Sequence, residues 1–433
     1  MTNEDIKPRG KIYYGWVIIA ISIVVLTMGN LTRASFPLFY VSILDEFGWS
    51  RASTAIIASA TGIIYGISAP IAGILFDRFG PRKIFPIAAI LLSIGAAGSS
   101  QANEIWQFCL FYGVIAALGL ALIGFTPIVA LASNWFVKWR ATAVGLSTTG
   151  IQWAILMAPL VQLLISNLGW RNTFLVLGGM TLVIIIPLSQ FLRNRPQDMQ
   201  LTLDNPTDGM EEEETKPNRE DSRIVDKKWV STDWTLSKAL RTYRFWAIFC
   251  IMLGLSTTVN ILLTHQVAFM LDIGFTATFA ASLFVLFAIM AMIGRFGGFL
   301  SDKLGRELTY TIGSIGVILA ILMLILVKDT SDAWMLYVYA ILFGLFAGSN
   351  SPVYAATAAD IFHGRHFGSI LGSADLGFGL GATLGPWLGG YIFDTTGNYI
   401  PAFIVAIIAM GIACISLWVA SPGRVRRVAG RIQ

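Results

Sequence analysis

Long apolar runs separated by short polar breaks fill the chain from residue 14 to residue 420. A helix that crosses a bilayer needs about 20 mostly apolar residues. Twelve runs reach that length, near 14–41, 52–76, 83–102, 106–136, 141–166, 170–192, 245–270, 276–300, 309–327, 334–361, 367–392 and 398–420. We number them spans 1 to 12. Trp106, Trp170, Trp246, Trp334 and Trp418 fall at or near span ends, where amphipathic rings anchor among lipid headgroups. Span 1 follows Lys7, Arg9 and Lys11. It is longer than the apolar core of a secretory leader and has no clear small-residue cleavage site, so it reads as a permanent helix. The expected fold class is all-α and integral to the membrane.

One long polar segment, about 193–243, interrupts this pattern and carries the acidic run Glu211 to Glu214. It divides the spans six and six and has the composition of a tether. The expected organisation is a tail at 1–13, a six-helix bundle at 14–192, a linker at 193–243, a second bundle at 244–420 and a tail at 421–433. Near the end of the linker, Trp234, Leu236, Leu240 and Tyr243 alternate with Lys238, Arg241 and Arg244, which suits a short helix lying on the membrane surface.

Composition supports the membrane reading. Of 433 residues 55% are hydrophobic and 13% are charged, and mean hydropathy is +0.70. A water-soluble enzyme carries about twice that share of charge. Disordered and disulfide-framed classes are excluded too, because Cys109, Cys250 and Cys414 are scattered within apolar runs. The net charge of +5 points to nucleic acid only until the basic residues are located. With both ends placed in the cytoplasm, 25 of the 30 Lys and Arg fall in inside segments, and the outside loops hold Arg51, Arg171 and Lys328. That asymmetry is the positive-inside bias of a multi-pass protein of the cell (plasma or inner) membrane, with both termini cytoplasmic and no nucleic-acid partner. The remaining two, Arg33 and Arg295, lie within spans.

The two halves repeat. Gly73-Ile-Leu-Phe-Asp77-Arg78-Phe-Gly80-Pro-Arg82 between spans 2 and 3 recurs as Gly298-Phe-Leu-Ser-Asp302-Lys303-Leu-Gly305-Arg306 between spans 8 and 9, 225 positions later. Gly119 and Pro127 recur as Gly344 and Pro352 at the same offset; Lys138, Gly145 and Pro159 recur as Arg365, Gly372 and Pro386 at an offset of 227. Parallel repeats of six helices are an architecture for alternating access to a midplane site.

The doubled loop pattern resembles the signature of the major facilitator superfamily of secondary transporters, along the whole chain. The resemblance implies two pseudo-symmetric six-helix bundles. It also implies a cytoplasmic gate at Gly73, Asp77, Arg78, Gly80, Gly298, Asp302, Lys303, Gly305 and Arg306: glycines let helix ends approach, and the charges hold neighbouring helix termini. Asn134-Trp-Phe, Lys138, Arg140 and Gly145, with Gly48-Trp-Ser-Arg51, Gly169-Trp-Arg171, Asp360-Ile-Phe, Gly364, Gly368 and the segment Thr235 to Trp246, resemble the bacterial monocarboxylate transporter and oxalate/formate antiporter branch. That branch implies a small carboxylate as substrate, moved with protons or against a counter-anion.

A charge at membrane depth costs roughly 3 kcal/mol on insertion scales, so such residues are functional candidates. Arg295, Arg33, His265 and Asp375 correspond through the repeat to Pro70, about Thr258, about Phe39 or Tyr40, and Thr148, none of them charged. These four break the symmetry of the scaffold. Arg295 lies seven residues before Asp302, about 10 Å above the helix end, where a guanidinium can grip a carboxylate by two parallel bonds. The resemblance likewise implies an arginine at this place in span 8. The alternative is an ion pair between Arg295 and Asp375. Arg33 is either a second cation for the anion or a side chain that snorkels. Asp375 and His265 are the candidates for proton coupling, against a neutralising role for the first and a packing role for the second. Gln152, Asn260 and Asn350, the last in the Ser349 to Pro352 break, are candidate substrate-binding residues of the cavity lining, against interhelical hydrogen bonding; lining is favoured for Asn350.

Departures from the resembled families occur at three places. Leu38 and Ala291 stand where the animal carriers have a lysine and an aspartate, and Ala374 and Asp375 where the oxalate antiporter has a lysine. The last departure favours a monoanion. Gly377, Gly381, Gly385 and Gly389 form a ridge for close helix packing and not a nucleotide loop. No metal-ligand spacing, cofactor motif or nucleophile elbow occurs. The sequence thus predicts a non-enzymatic, monomeric secondary transporter in the lipid bilayer that carries a small monocarboxylate, by proton symport. The rivals are carboxylate exchange, efflux, and a receptor that does not transport.

Overall fold

The computed structural model describes residues 13–49, 51–199 and 224–428. The acidic run and the rest of the linker's middle lie outside the described residues.

Every predicted span is helical, and the interruptions follow from proline and glycine. Span 1 comprises Tyr14–Ala34 and Phe36–Phe47. The break at Ser35 precedes Pro37, which has no N–H to continue the ladder toward the Arg33 carbonyl. Span 2 is Arg51–Phe79 and span 3 is Pro81–Ser100. Span 4 begins at Ile105, widens into a π-turn over Cys109–Ala116, and restarts after extended Gly124 as Phe125–Trp135. Span 5 is Arg140–Thr148 and Gly150–Leu156 and runs into Ala158–Phe191. That last helix turns at Gly169, φ 75°, so it holds the end of span 5 and all of span 6.

Span 7 is Tyr243–Ile273, and span 8 is Ala277–Gly294 followed by Gly297–Leu304. Spans 9 and 10 are Arg306–Leu326 and Ala333–Phe362. Span 11 is Phe367–Ala374 and Leu376–Thr396, and span 12 is Ile400–Ala420. Ten described helical stretches are long and apolar enough to cross a bilayer. One of these is Arg140–Phe191, which Gly169 divides in two. Span 11 completes the twelve; its glycines lower its hydropathy because they serve packing. A Cβ at Gly377, Gly381 or Gly385 would meet span 7 at Phe249, Ser256 and Thr257, and one at Gly389 would meet the His265 ring.

Spans 1 to 6 pack among themselves, as do spans 7 to 12, and the two bundles meet where span 2 lies on span 11 and span 5 on span 8. The meeting obeys the internal repeat. Gly73 lies against the Gly368 carbonyl and Gly298 against the Ala141 carbonyl. Gly145 faces the carbonyl of Arg295, and Gly372 that of Ala69. Backbones approach there at distances that leave no room for a side chain. Gly80 and Gly305, at φ 70° and 106°, turn the chain at equivalent points, in a region that glycine enters without steric cost. We call the end of the molecule that carries these loops the basic end.

Candidate functional site

At the basic end, both loop aspartates cap a helix of the opposite bundle. Asp77 accepts the N–H groups of Gly368 at 2.9 Å and Ser369 at 2.7 Å, at the start of span 11. Asp302 accepts those of Ala141 at 3.3 Å and Thr142 at 2.9 Å, and the Thr142 hydroxyl at 2.8 Å, at the start of span 5. A carboxylate satisfies unpaired N–H groups at a helix N-terminus and complements its dipole. The two seams then diverge. Arg306 bonds Asp302 at 2.6 Å and Asp360 at 2.8 Å, and Arg140 of the first bundle bonds Asp360 at 2.6 Å. This buried chain links both bundles. At the other seam the positions 225 residues earlier are Pro81 and Trp135, so neither the arginine nor the acid is repeated there.

Arg78 and Lys303, the basic members of the two motifs, lie instead over Phe79 at 5.1 Å and Phe299 at 4.2 Å. Phe299 stacks at 5.5 Å on Trp139 of the first bundle. Beyond span 10, burial and the nearby Arg140 push the pKa of His363 well below the usual histidine range. Its Nδ1 lies 3.5 Å from an Arg140 amino group.

Nearer the middle of the bundle lie three helix breaks: Thr149 in span 5, Arg295 in span 8 and Asp375 in span 11. Arg295 is 7% exposed. Its Nε donates to Gln152 Oε1 at 2.7 Å and an amino group donates to Thr148 Oγ1 at 2.7 Å, both on span 5. Asp375, 6% exposed, accepts the hydroxyls of Thr126 at 2.6 Å and Tyr354 at 2.8 Å. Thr126 belongs to the opposite bundle. Among the described residues no ion pair joins Arg295 to Asp375. Each ionisable group is held across the interface by uncharged partners, where a full counter-charge would bind more strongly.

The remaining candidates separate. Gln152 is at the site as Arg295's acceptor. Arg33 is exposed, with its Cζ 5.2 Å from the Tyr65 ring, and lines a small cavity with Tyr112 and Thr61. Asn260 donates to the Ser256 carbonyl one turn back, at 2.8 Å. His265 Nε2 lies 2.9 Å from the Pro386 carbonyl and its ring 5.3 Å from that of Tyr399, a packed position between spans 7, 11 and 12. Asn350 departs from the expected cavity lining. It is fully buried, lies against Gly313 of span 9 and points its amide at Met410 of span 12. The space left by Gly313 draws this side chain into the second bundle.

Thr148, Thr126, Tyr354, Arg140 and Asp360 were not singled out as site residues from sequence. For Thr148 a signal existed, since it is the repeat partner of Asp375. Threonine in apolar helices otherwise carries no mark, because most threonines bond their own helix, as Thr61 does to Ile57, and the sequence does not show which distant group a tyrosine hydroxyl reaches.

Two helical bundles, joined across a plane that buries ionisable groups at helix breaks, define a secondary transporter and not an enzyme. The sequence profile described as Major Facilitator Superfamily matches residues 18–334 and 296–432, and the chain belongs to that superfamily. Monocarboxylate transporter 13 of Rattus norvegicus is 26% identical over 413 residues, covering 94% of this chain and 88% of the relative. Monocarboxylate transporter 11 of Homo sapiens is 27% identical, covering 91% and 80%. Among solved structures, the E. coli fucose:proton symporter FucP aligns with a TM-score of 0.69 at 15% identity, covering 94% of this chain and all of that one. The proton:xylose symporter XylE aligns with 0.71 at 15% identity, covering 94% and 95%. At that identity these likenesses concern the fold.

Proposed function

We propose that the protein carries a small organic monocarboxylate across the cell membrane by proton symport, with Arg295 receiving the carboxylate. The observation that carries this reading is the pairing of Arg295 with neutral acceptors of the opposite bundle. An arriving carboxylate replaces Gln152 Oε1 and Thr148 Oγ1 as the guanidinium's partner, and charge-assisted bonds are about twice as strong as neutral ones. The exchange frees span 8 from span 5 at the moment the substrate is bound.

Asp375 is the proton carrier in this reading. Its carboxylate bridges Thr126 and Tyr354, so a change in its protonation alters a bond between the bundles; His265 is occupied by a backbone carbonyl. The basic end faces the cytoplasm and opens when Asp77 and Asp302 release their helix termini. A single chain holds the whole site and acts as a monomer.

A panel of small carboxylates competing for uptake into vesicles tests the substrate class. Symport makes the outer medium more alkaline as substrate enters, whereas exchange needs a preloaded counter-anion and leaves the medium's pH unchanged. Arg295→Ala is expected to abolish uptake with normal membrane insertion. Transport at the wild-type rate by that variant removes Arg295 from the site.

A further inference from the structure

At the basic end, a cavity of about 520 Å³ opens between the start of span 9 and the end of span 12. Its walls include Arg306, Arg424, Arg426 and Arg427, with Trp418 and Leu308 at its apolar side. The concavity is built by specific geometry. Ser421 takes a left-handed conformation, φ 49°, the single non-glycine instance among the described residues, and turns the chain back after span 12. The Gly423 N–H then donates to Glu307 Oε1 at 2.8 Å, tying the turn to span 9. Val425 is fully buried, and its carbonyl accepts the Val225 N–H at 3.0 Å beside a lone antiparallel bridge between Ile224 and Arg426. The tail is thereby held so that three arginines within four positions border one cavity. The acid in its wall, Glu307, already accepts the bond from Gly423.

The apolar side continues into the membrane. Leu308, Ile312 and Ile315 of span 9 are exposed, as are Ile415 and Trp418 of span 12, and the two spans pack side by side. The Trp418 indole donates to Thr311 at 3.0 Å, which fixes the ring at the level where tryptophan meets headgroups. Basic pockets between transmembrane helices that open to an apolar groove suit an anionic headgroup with its chains. The volume also lies in the range of small-ligand sites.

We propose that this cavity holds the phosphodiester headgroup of an anionic phospholipid, with an acyl chain laid along the groove between spans 9 and 12. Arg306 belongs both to the cavity wall and to the ion-pair chain that joins the bundles. The proposal stands independently of the transported substrate.

Native mass spectrometry of the purified full chain, titrated with phosphatidylglycerol and with phosphatidylcholine of the same chains, tests it. The expected result is one retained phosphatidylglycerol and no comparable phosphatidylcholine. Replacing Arg424, Arg426 and Arg427 together by Gln weakens retention by roughly 100-fold, the combined attraction of three basic side chains for an anionic headgroup, while the triple Lys variant stays within a few-fold of wild type. Millimolar inorganic phosphate neither binds with similar affinity nor displaces the lipid. Equal retention of both lipids overturns the proposal without recourse to any variant. So does wild-type retention by the Gln variant, loss of retention by the Lys variant, or displacement by inorganic phosphate, which would mark a site for free anions.

Discussion

The Nε of Arg295 donates to Oε1 of Gln152 at 2.7 Å, so the buried cation of one bundle is held by an uncharged amide of the other. The pairing satisfies the donor without neutralising it. It leaves a guanidinium at the interface whose attraction for a carboxylate is unspent.

Gln152→Glu supplies that carboxylate permanently. The variant is expected to bind added carboxylates at least about tenfold more weakly, since a fixed internal partner competes through charge-assisted bonds worth about 1.5–3 kcal/mol. Its bundles should also separate less readily. Ligand-induced thermal shifts for wild type and variant provide the check; an unchanged affinity would show that Arg295 does not bind the anion.

Gly298→Ala places a methyl group on the Ala141 carbonyl, and Gly73→Ala places one on that of Gly368. Overpacking costs about 1–3 kcal/mol, and here it falls on the state in which the basic end is closed. Spin labels at Arg78→Cys and Arg365→Cys, on opposite bundles and exposed, are expected to show a longer mean distance in either variant, with the native cysteines replaced by serine.

Asp302 and Asp77 occupy equivalent places but differ in their company. Asp302 is 1% exposed and shares Arg306 with Asp360. Asp302→Asn removes one partner of a buried ion pair, at a cost of about 3–5 kcal/mol. Asp77→Asn weakens only bonds to backbone N–H groups, at about 1–3 kcal/mol. Thermal aggregation midpoints of the two variants should rank accordingly, with Asp302→Asn the lower.

At the opposite end, beyond the membrane-crossing stretch Tyr14–Tyr40, Glu46 accepts bonds from Arg171 at 2.8 Å and from the Trp170 indole at 2.6 Å. The Arg171 bond holds its carboxyl below the usual glutamate range. A depressed acid pKa stabilises the fold above the unfolded-state value, near 4.3, and that contribution is lost as pH falls through the folded-state value. The pair is 32% and 42% exposed, so its worth is at most about 1 kcal/mol after solvent screening. Glu46→Gln should lower the melting temperature slightly at pH 7 and not at pH 3. A loss of equal size at both pH values would assign the effect to packing.

Twelve spans, their division into halves and the doubled loop motif were all legible without coordinates. Each rests on local or periodic quantities: hydropathy over about twenty residues, the placement of Lys and Arg, and spacing repeated at 225 positions. The buried charges Arg295 and Asp375 were legible for the same reason, because ionisable groups are rare in apolar runs. Their partners were not. Whether Arg295 meets Asp375 or Gln152, whether Asn350 faces the cavity or Gly313, and whether Arg140 reaches Asp360, 220 positions away, depends on how each helix is rotated about its axis. Rotation is set by close packing of small residues such as Gly145 and Gly313 against distant neighbours, and hydropathy is nearly blind to it in helices that are apolar all round. Folding thus selected neutral partners for both buried charges, and brought Arg140, Arg306 and Asp360 together into one ion-pair chain.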